Sequence, residues 1–168
     1  MVNYIYQFPK GYESFEKVKQ VIEKNLPNGC KIESAESGGA KGFLGKLQEK
    51  AHYGFSGGKT LGEINIKKNA YVGICVICFS SDGTKNDQIS VIEYVPSGFI
   101  RFMMNKVLGY VTNLIFPAIF GQHEDIGKEI DKIIMENFET EKLDNSVMGA
   151  IKGIGKGLGV KESSVKED

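Results

Sequence analysis

The residues of this chain best suited to chemistry are a Cys75-x-x-Cys78 pair, a Gly57-Gly58-Lys59-Thr60 run, two histidines (His52, His123) and one arginine, Arg101. A Cys-x-x-Cys spacing suits zinc or thiol–disulfide exchange. Here it lies in Tyr71-Val72-Gly73-Ile74-Cys75-Val76-Ile77-Cys78-Phe79, a β-branched apolar run that reads as a buried central strand. Residues three apart on a strand point to opposite faces, so the two sulfurs cannot meet on one metal. The pair is expected to be structural.

Gly57-Gly58-Lys59-Thr60 matches the end of a phosphate-binding G-x-x-x-x-G-K-[ST] loop, but Tyr53 occupies the first glycine position. A strand-like LGEINIK follows where a helix is required. The glycines at 153, 155, 157 and 159 fail G-x-G-x-x-G because Leu158 takes the third glycine position. His123-Glu124-Asp125 places three ligand types side by side, yet adjacent side chains on a helix diverge. Neither histidine has a partner at catalytic spacing, and no catalytic residue, metal ligand or cofactor is expected. Arg101 could grip an anion through its planar fork, against the plainer reading of a solvated residue whose stem covers apolar surface.

Two cationic, glycine-rich segments resemble each other in composition. Residues 39–47 contain Lys41, Phe43, Leu44 and Lys46; residues 148–161 contain Ile151, Lys152, Ile154, Lys156 and Leu158. As a helix, the second would align Ile151, Ile154 and Leu158 opposite Lys152 and Lys156, the pattern of an interfacial membrane-binding segment. Its glycines oppose helix by ~1 kcal/mol each relative to Ala, so a surface would have to supply the ordering energy.

The elements that would position these groups follow from periodicity. Val2, Tyr4, Tyr6 and Phe8 alternate with Asn3, Ile5 and Gln7, the period-two pattern of a half-buried strand. Ser14 is placed to cap a helix burying Phe15, Val18, Val21, Ile22 and Leu26. Strands are expected over Cys30–Ala35, Leu61–Lys67, Tyr71–Phe79 and Gln88–Val95, with a turn at Ser81-Asp82-Gly83-Thr84. The glycine-rich 37–59 region suggests a short helix through Phe43 and Ala51 and a short strand at His52–Phe55. Ile126, Ile130, Ile133, Ile134 and Phe138 recur at helical spacing, after acids that suit a helix start.

The longest apolar stretch is Phe99–Phe120. Its spacing predicts a helix over 99–116 laid across the sheet, with a wide apolar face through Ile100, Met103, Val107, Val111 and Leu114 and with Phe99, Met104, Tyr110 and Ile115 beside it. Pro117 should stop or kink it. Arg101, Lys106, Thr112 and Asn113 make a membrane span implausible, because a span needs ~20 largely uncharged residues.

Composition bounds function. The chain has 168 residues, 41% hydrophobic and 25% charged, with 21 basic and 21 acidic side chains. One domain is expected over 1–140 and a glycine- and lysine-containing tail over 141–168. Zero net charge and twenty lysines to one arginine give no nucleic-acid signature. An odd cysteine count and a start without an apolar leader point to the cytoplasm.

Runs of strands followed by helices argue for an α+β fold. The expectation is an antiparallel sheet of about five strands, covered by an N-terminal helix and one or two C-terminal helices. This resembles in general plan the helix-over-curved-sheet architecture of helix-grip and TATA-box-binding-protein-like domains, a likeness carried by no motif. The functional expectation is a non-enzymatic binding module, enclosing a small apolar ligand near Arg101, Met103, Val107 and Tyr110. The alternative is docking to an anionic membrane or a partner through 39–47 and 148–161.

Overall fold

The computed structural model describes residues 2–9, 13–37, 59–80, 85–106 and 109–143, apart from the side chains of 105, 106 and 109–113. Its strands are β1 (Asn3–Gln7), β2 (Lys31–Ser37), β3 (Lys59–Lys67), β4 (Gly73–Ser80), β5 (Gln88–Tyr94) and β6 (Glu141–Leu143). Its helices are α1 (Phe15–Lys24), α2 (Gly98–Lys106), α3 (Gly109–Phe120) and α4 (His123–Asn137).

All six strands pair antiparallel in the order β2-β3-β4-β5-β1-β6. The first strand therefore returns beside the fifth, and α1 carries the chain to the far edge of the sheet. Register follows the apolar alternation: Tyr4, Val91, Val76 and Ile64 lie opposite one another in turn, with Ala35 next in line. All five belong to the main core or pack against it.

Two helices cover this face. Ser14 Oγ accepts from the Lys17 backbone N–H at 3.2 Å, as an N-cap should, and α1 buries Phe15, Val18 and Ile22. Helix α4 buries Ile126, Ile130 and Ile134, which share one stripe at four-residue spacing. Each isoleucine stabilises the packing by about 1.5–3 kcal/mol. Gly127 permits the close approach of α4 to the sheet, because a Cβ there would lie 2.6 Å from Val2 Cγ2.

The sheet has a sixth strand beyond the expected number, within the region assigned above to the tail. β6 pairs with β1, and Lys142 holds it in place: its Nζ lies 2.8 Å from Asp131 Oδ1 and 3.8 Å above the Tyr4 ring. Asp131 also accepts a 2.5 Å hydrogen bond from the Tyr6 hydroxyl. Burial, then this carboxylate, pushes the Tyr6 phenol well above its ordinary range.

The stretch 99–120 departs most from expectation. It makes two helices rather than one over 99–116, and α4, not this stretch, lies on the sheet alongside α1. The reason is competition for one face. The Ile126–Ile130–Ile134 ladder of α4 packs on β4 and β5, while among the described side chains of α2 Ile100 alone joins the buried core, with Met104 beside it. Pro117 does not end the helix; α3 continues to Phe120. Gly121, at φ 86°, closes it by donating its N–H to Pro117 O at 3.0 Å.

Candidate functional site

The cysteine pair resolves as strand geometry requires. Cys78 belongs to the main core under α1 and α4, whereas Cys75 sits with Ile77, Phe79 and Ile92 on the opposite face. Both thiols are free and fully buried. Burial pushes Cys78 up to about 12, partly offset by the neighbouring Asn86 side chain, and raises Cys75 further. Neither is a poised thiolate. Among the described residues no cluster of three or more His, Cys, Asp or Glu could hold a metal. Lys59 and Thr60 open β3 rather than a helix, so they lack the helix start that a phosphate loop needs.

His123 begins α4 and serves as a joint. Its Nε2 lies 3.1 Å from Tyr71 O and 3.2 Å from Tyr94 O, and two carbonyl acceptors require Nε2 to carry the proton. The ring packs edge-on against Tyr71 at 4.9 Å between centroids. Asn69 completes the joint. Its Oδ1 accepts from the N–H groups of Tyr71 and Val72, and its Nδ2 donates to Phe120 O at 2.8 Å. Phe116 and Phe120 stack around Tyr71 at 5.6 and 6.1 Å. This aromatic and amide cluster pins the end of α3 to the β3–β4 turn. His52 lies outside the described residues.

What the joint holds is the unusual surface. On α2, Phe99 is 72% exposed and Phe102 55%; on α3, Leu114 is 64% exposed and Ile119 66%. Ile115 is also exposed. The two helices pack on each other. Single exposed apolar residues are ordinary; here five large ones lie on two adjoining short helices. Charge adds to the picture: from residue 94 to 123 the chain has Arg101 and Lys106 and no acid at all.

Of the residues expected to bind a ligand, Arg101 is exposed and Met103 half-buried. Two positions apart on a helix, they stand on different sides of α2 and do not converge. Val107 and the side chain of Tyr110 lie outside the described residues. So do both cationic segments, with Lys41, Phe43, Leu44, Lys46, Ile151, Lys152, Ile154, Lys156 and Leu158. Of the residues expected on one apolar face, Ile100 is buried and Met103 and Met104 half-buried, whereas Phe99, Leu114 and Ile115 are exposed. The available signal was the excess of apolar residues over what one covered face can take up.

No helix among the described residues is long and apolar enough to cross a membrane. Searches against protein-family models, curated proteins and solved structures find no match to this chain.

Proposed function

We propose that this protein is a non-enzymatic binding module that docks through the exposed apolar side chains of α2 and α3. One observation carries the reading: Phe99, Phe102, Leu114, Ile115 and Ile119 remain in water although the same chain buries its Ile126, Ile130 and Ile134 ladder completely. Leaving five such side chains exposed forgoes about 1.5–3 kcal/mol each, which a docked partner would recover in part. The framework is proposed to follow the helix-over-sheet plan of helix-grip domains, supported by the return of β1 beside β5 and by α4 across the sheet. In this reading the sheet and α4 form a rigid base, and the Asn69–Tyr71–His123 joint presents the helix pair.

The test compares the full chain with a Phe99→Ser, Phe102→Ser, Ile119→Ser variant. All three positions are exposed, so the fold should survive, as circular dichroism and the urea midpoint would report. The native chain is expected to be retained on a phenyl matrix, or to self-associate in light scattering, and the variant to lose that behaviour. A native chain that behaves like the variant in both measurements overturns the proposal.

A further inference from the structure

We infer that the partner of the α2–α3 face is the interfacial layer of an anionic lipid bilayer. This rests on the docking reading above and names its occupant.

Length is the first argument. Helices of 9 and 12 residues reach only about 14 and 18 Å at ~1.5 Å per residue, against a hydrocarbon core of ~30 Å. They cannot span a bilayer, but they can lie in its surface with apolar side chains set ~5–10 Å into the headgroup and acyl boundary. Phe99 and Phe102, three apart on α2, and Ile115 and Ile119, four apart on α3, share helix faces in the way an interfacial helix requires.

Charge is the second argument, and it chooses among occupants. The chain has 21 acidic residues, yet residues 94–123 contain none, while Gln122–Asn145 alone holds Glu124, Asp125, Glu129, Asp131, Glu136, Glu139, Glu141 and Asp144. Arg101, on the exposed surface of α2, lies between Phe99 and Phe102 in sequence, and Lys106 ends that helix. A segment with two cations and no acid of its own suits a negatively charged surface, where each basic residue is worth ~1 kcal/mol; Glu33, beyond the segment, is engaged by the Tyr94 hydroxyl and Lys67. A second copy of the chain is a poorer fit. A two-fold interface would set this patch against itself, with the cation Arg101 on both sides and no acid within residues 94–123 to pair it.

Chemistry at the ends of the pair is consistent with insertion. The C-terminal carbonyl of Phe120 is already satisfied by Asn69 Nδ2, and Gly121 N–H by Pro117 O. That end of α3 therefore keeps these backbone hydrogen bonds when water is displaced.

The test uses a Phe102→Trp variant of the full chain, in which the introduced indole is the sole tryptophan, because the native sequence has none. Vesicles are phosphatidylcholine alone, or phosphatidylcholine and phosphatidylglycerol in equal parts. The expected result is a blue-shifted tryptophan emission and co-sedimentation with the mixed vesicles, weakened by added salt. Replacing Arg101 by Gln should lower partitioning about fivefold, the equivalent of the ~1 kcal/mol that one cation contributes. The Phe99→Ser, Phe102→Ser, Ile119→Ser chain should lose about tenfold or more.

Absence of binding to mixed vesicles overturns the inference. So does equal binding to both lipid compositions, or binding that leaves the tryptophan emission unchanged and so proceeds through another segment. If vesicles fail while the phenyl-matrix contrast persists, the docking reading stands and its partner is a protein. If both fail, both fall.

Discussion

Helix α4 and the α2–α3 pair are built from the same apolar residue types and meet opposite fates. Ile126, Ile130 and Ile134 in α4 are fully buried, while Phe99, Phe102, Leu114 and Ile119 stand mostly in water. The difference lies in what surrounds each apolar residue. Around its isoleucines α4 carries Glu124, Asp125, Lys128, Glu129, Asp131, Lys132 and Glu136, which confine most of its apolar surface, exposed Met135 apart, to one stripe. Helix α3, GYVTNLIFPAIF, carries no charge, so its surface is apolar on more sides than the fold can cover. Amphipathic contrast directs a helix onto a core more surely than total hydrophobicity does.

The sharpest way to break this comparison is to shorten one isoleucine in each region. Ile130→Ala should lower the free energy of unfolding by about 2–5 kcal/mol through lost burial and the cavity left behind. Ile119→Ala should stay within about 0.5 kcal/mol, as exposed substitutions do. Urea unfolding of both variants gives the answer, and similar losses at the two positions would mean that α3 is as much core as α4.

A smaller effect probes the joint. Asn69→Ala removes three hydrogen bonds at a net ~1 kcal/mol each, or about 2–3 kcal/mol if all act independently. Amide exchange in the last turn of α3 should accelerate while the Cys75–Cys78 amides of β4 keep their protection. Equal acceleration in β4 would show that the helix pair and the sheet open as one unit.

The smallest effect is a slope. In the folded chain burial holds the Cys78 thiol at about 12, whereas its ordinary value is 9.0. The unfolded chain therefore binds fewer protons than the folded one between these limits. The stabilisation is complete below pH 9, declines as pH rises through the window, and is lost above the folded value. Cys75 and Tyr6, also raised chiefly by burial, act in the same direction. Cys78→Ala should make the alkaline decline in stability shallower, and Phe99→Ser should leave it as it is. Chemical denaturation at a series of alkaline pH values separates the two.

Much of the base was legible in the sequence. The alternation of Tyr4, Tyr6 and Phe8, the β-branched run through Val76 and Ile77, the Ser14 cap and the Ile126–Ile134 ladder all appear where their spacing places them. Local chemistry decides these features, because side-chain direction repeats every two residues in a strand and every 3.6 in a helix. The opposite orientation of Cys75 and Cys78 was legible for the same reason. β6 was missed because three residues of Glu-Lys-Leu carry no period; a non-local contact, Lys142 on Asp131 and Tyr4, holds them.

The candidate site was legible only as an excess. Sequence alone identified residues 99–120 as the longest apolar stretch, with too many polar positions for a membrane span, and it marked Pro117 as a local exception in the backbone. The reading of 99–116 as the helix over the sheet was wrong because periodicity does not rank that stretch against α4, since both have it and both follow the same strands. Tertiary structure decided it. One sheet face has room for a limited set of helices, and α1 with the isoleucine ladder of α4 fills it. Phe99, Phe102, Leu114, Ile115 and Ile119 are then left outside by exclusion, a property of what else is packed rather than of their own spacing.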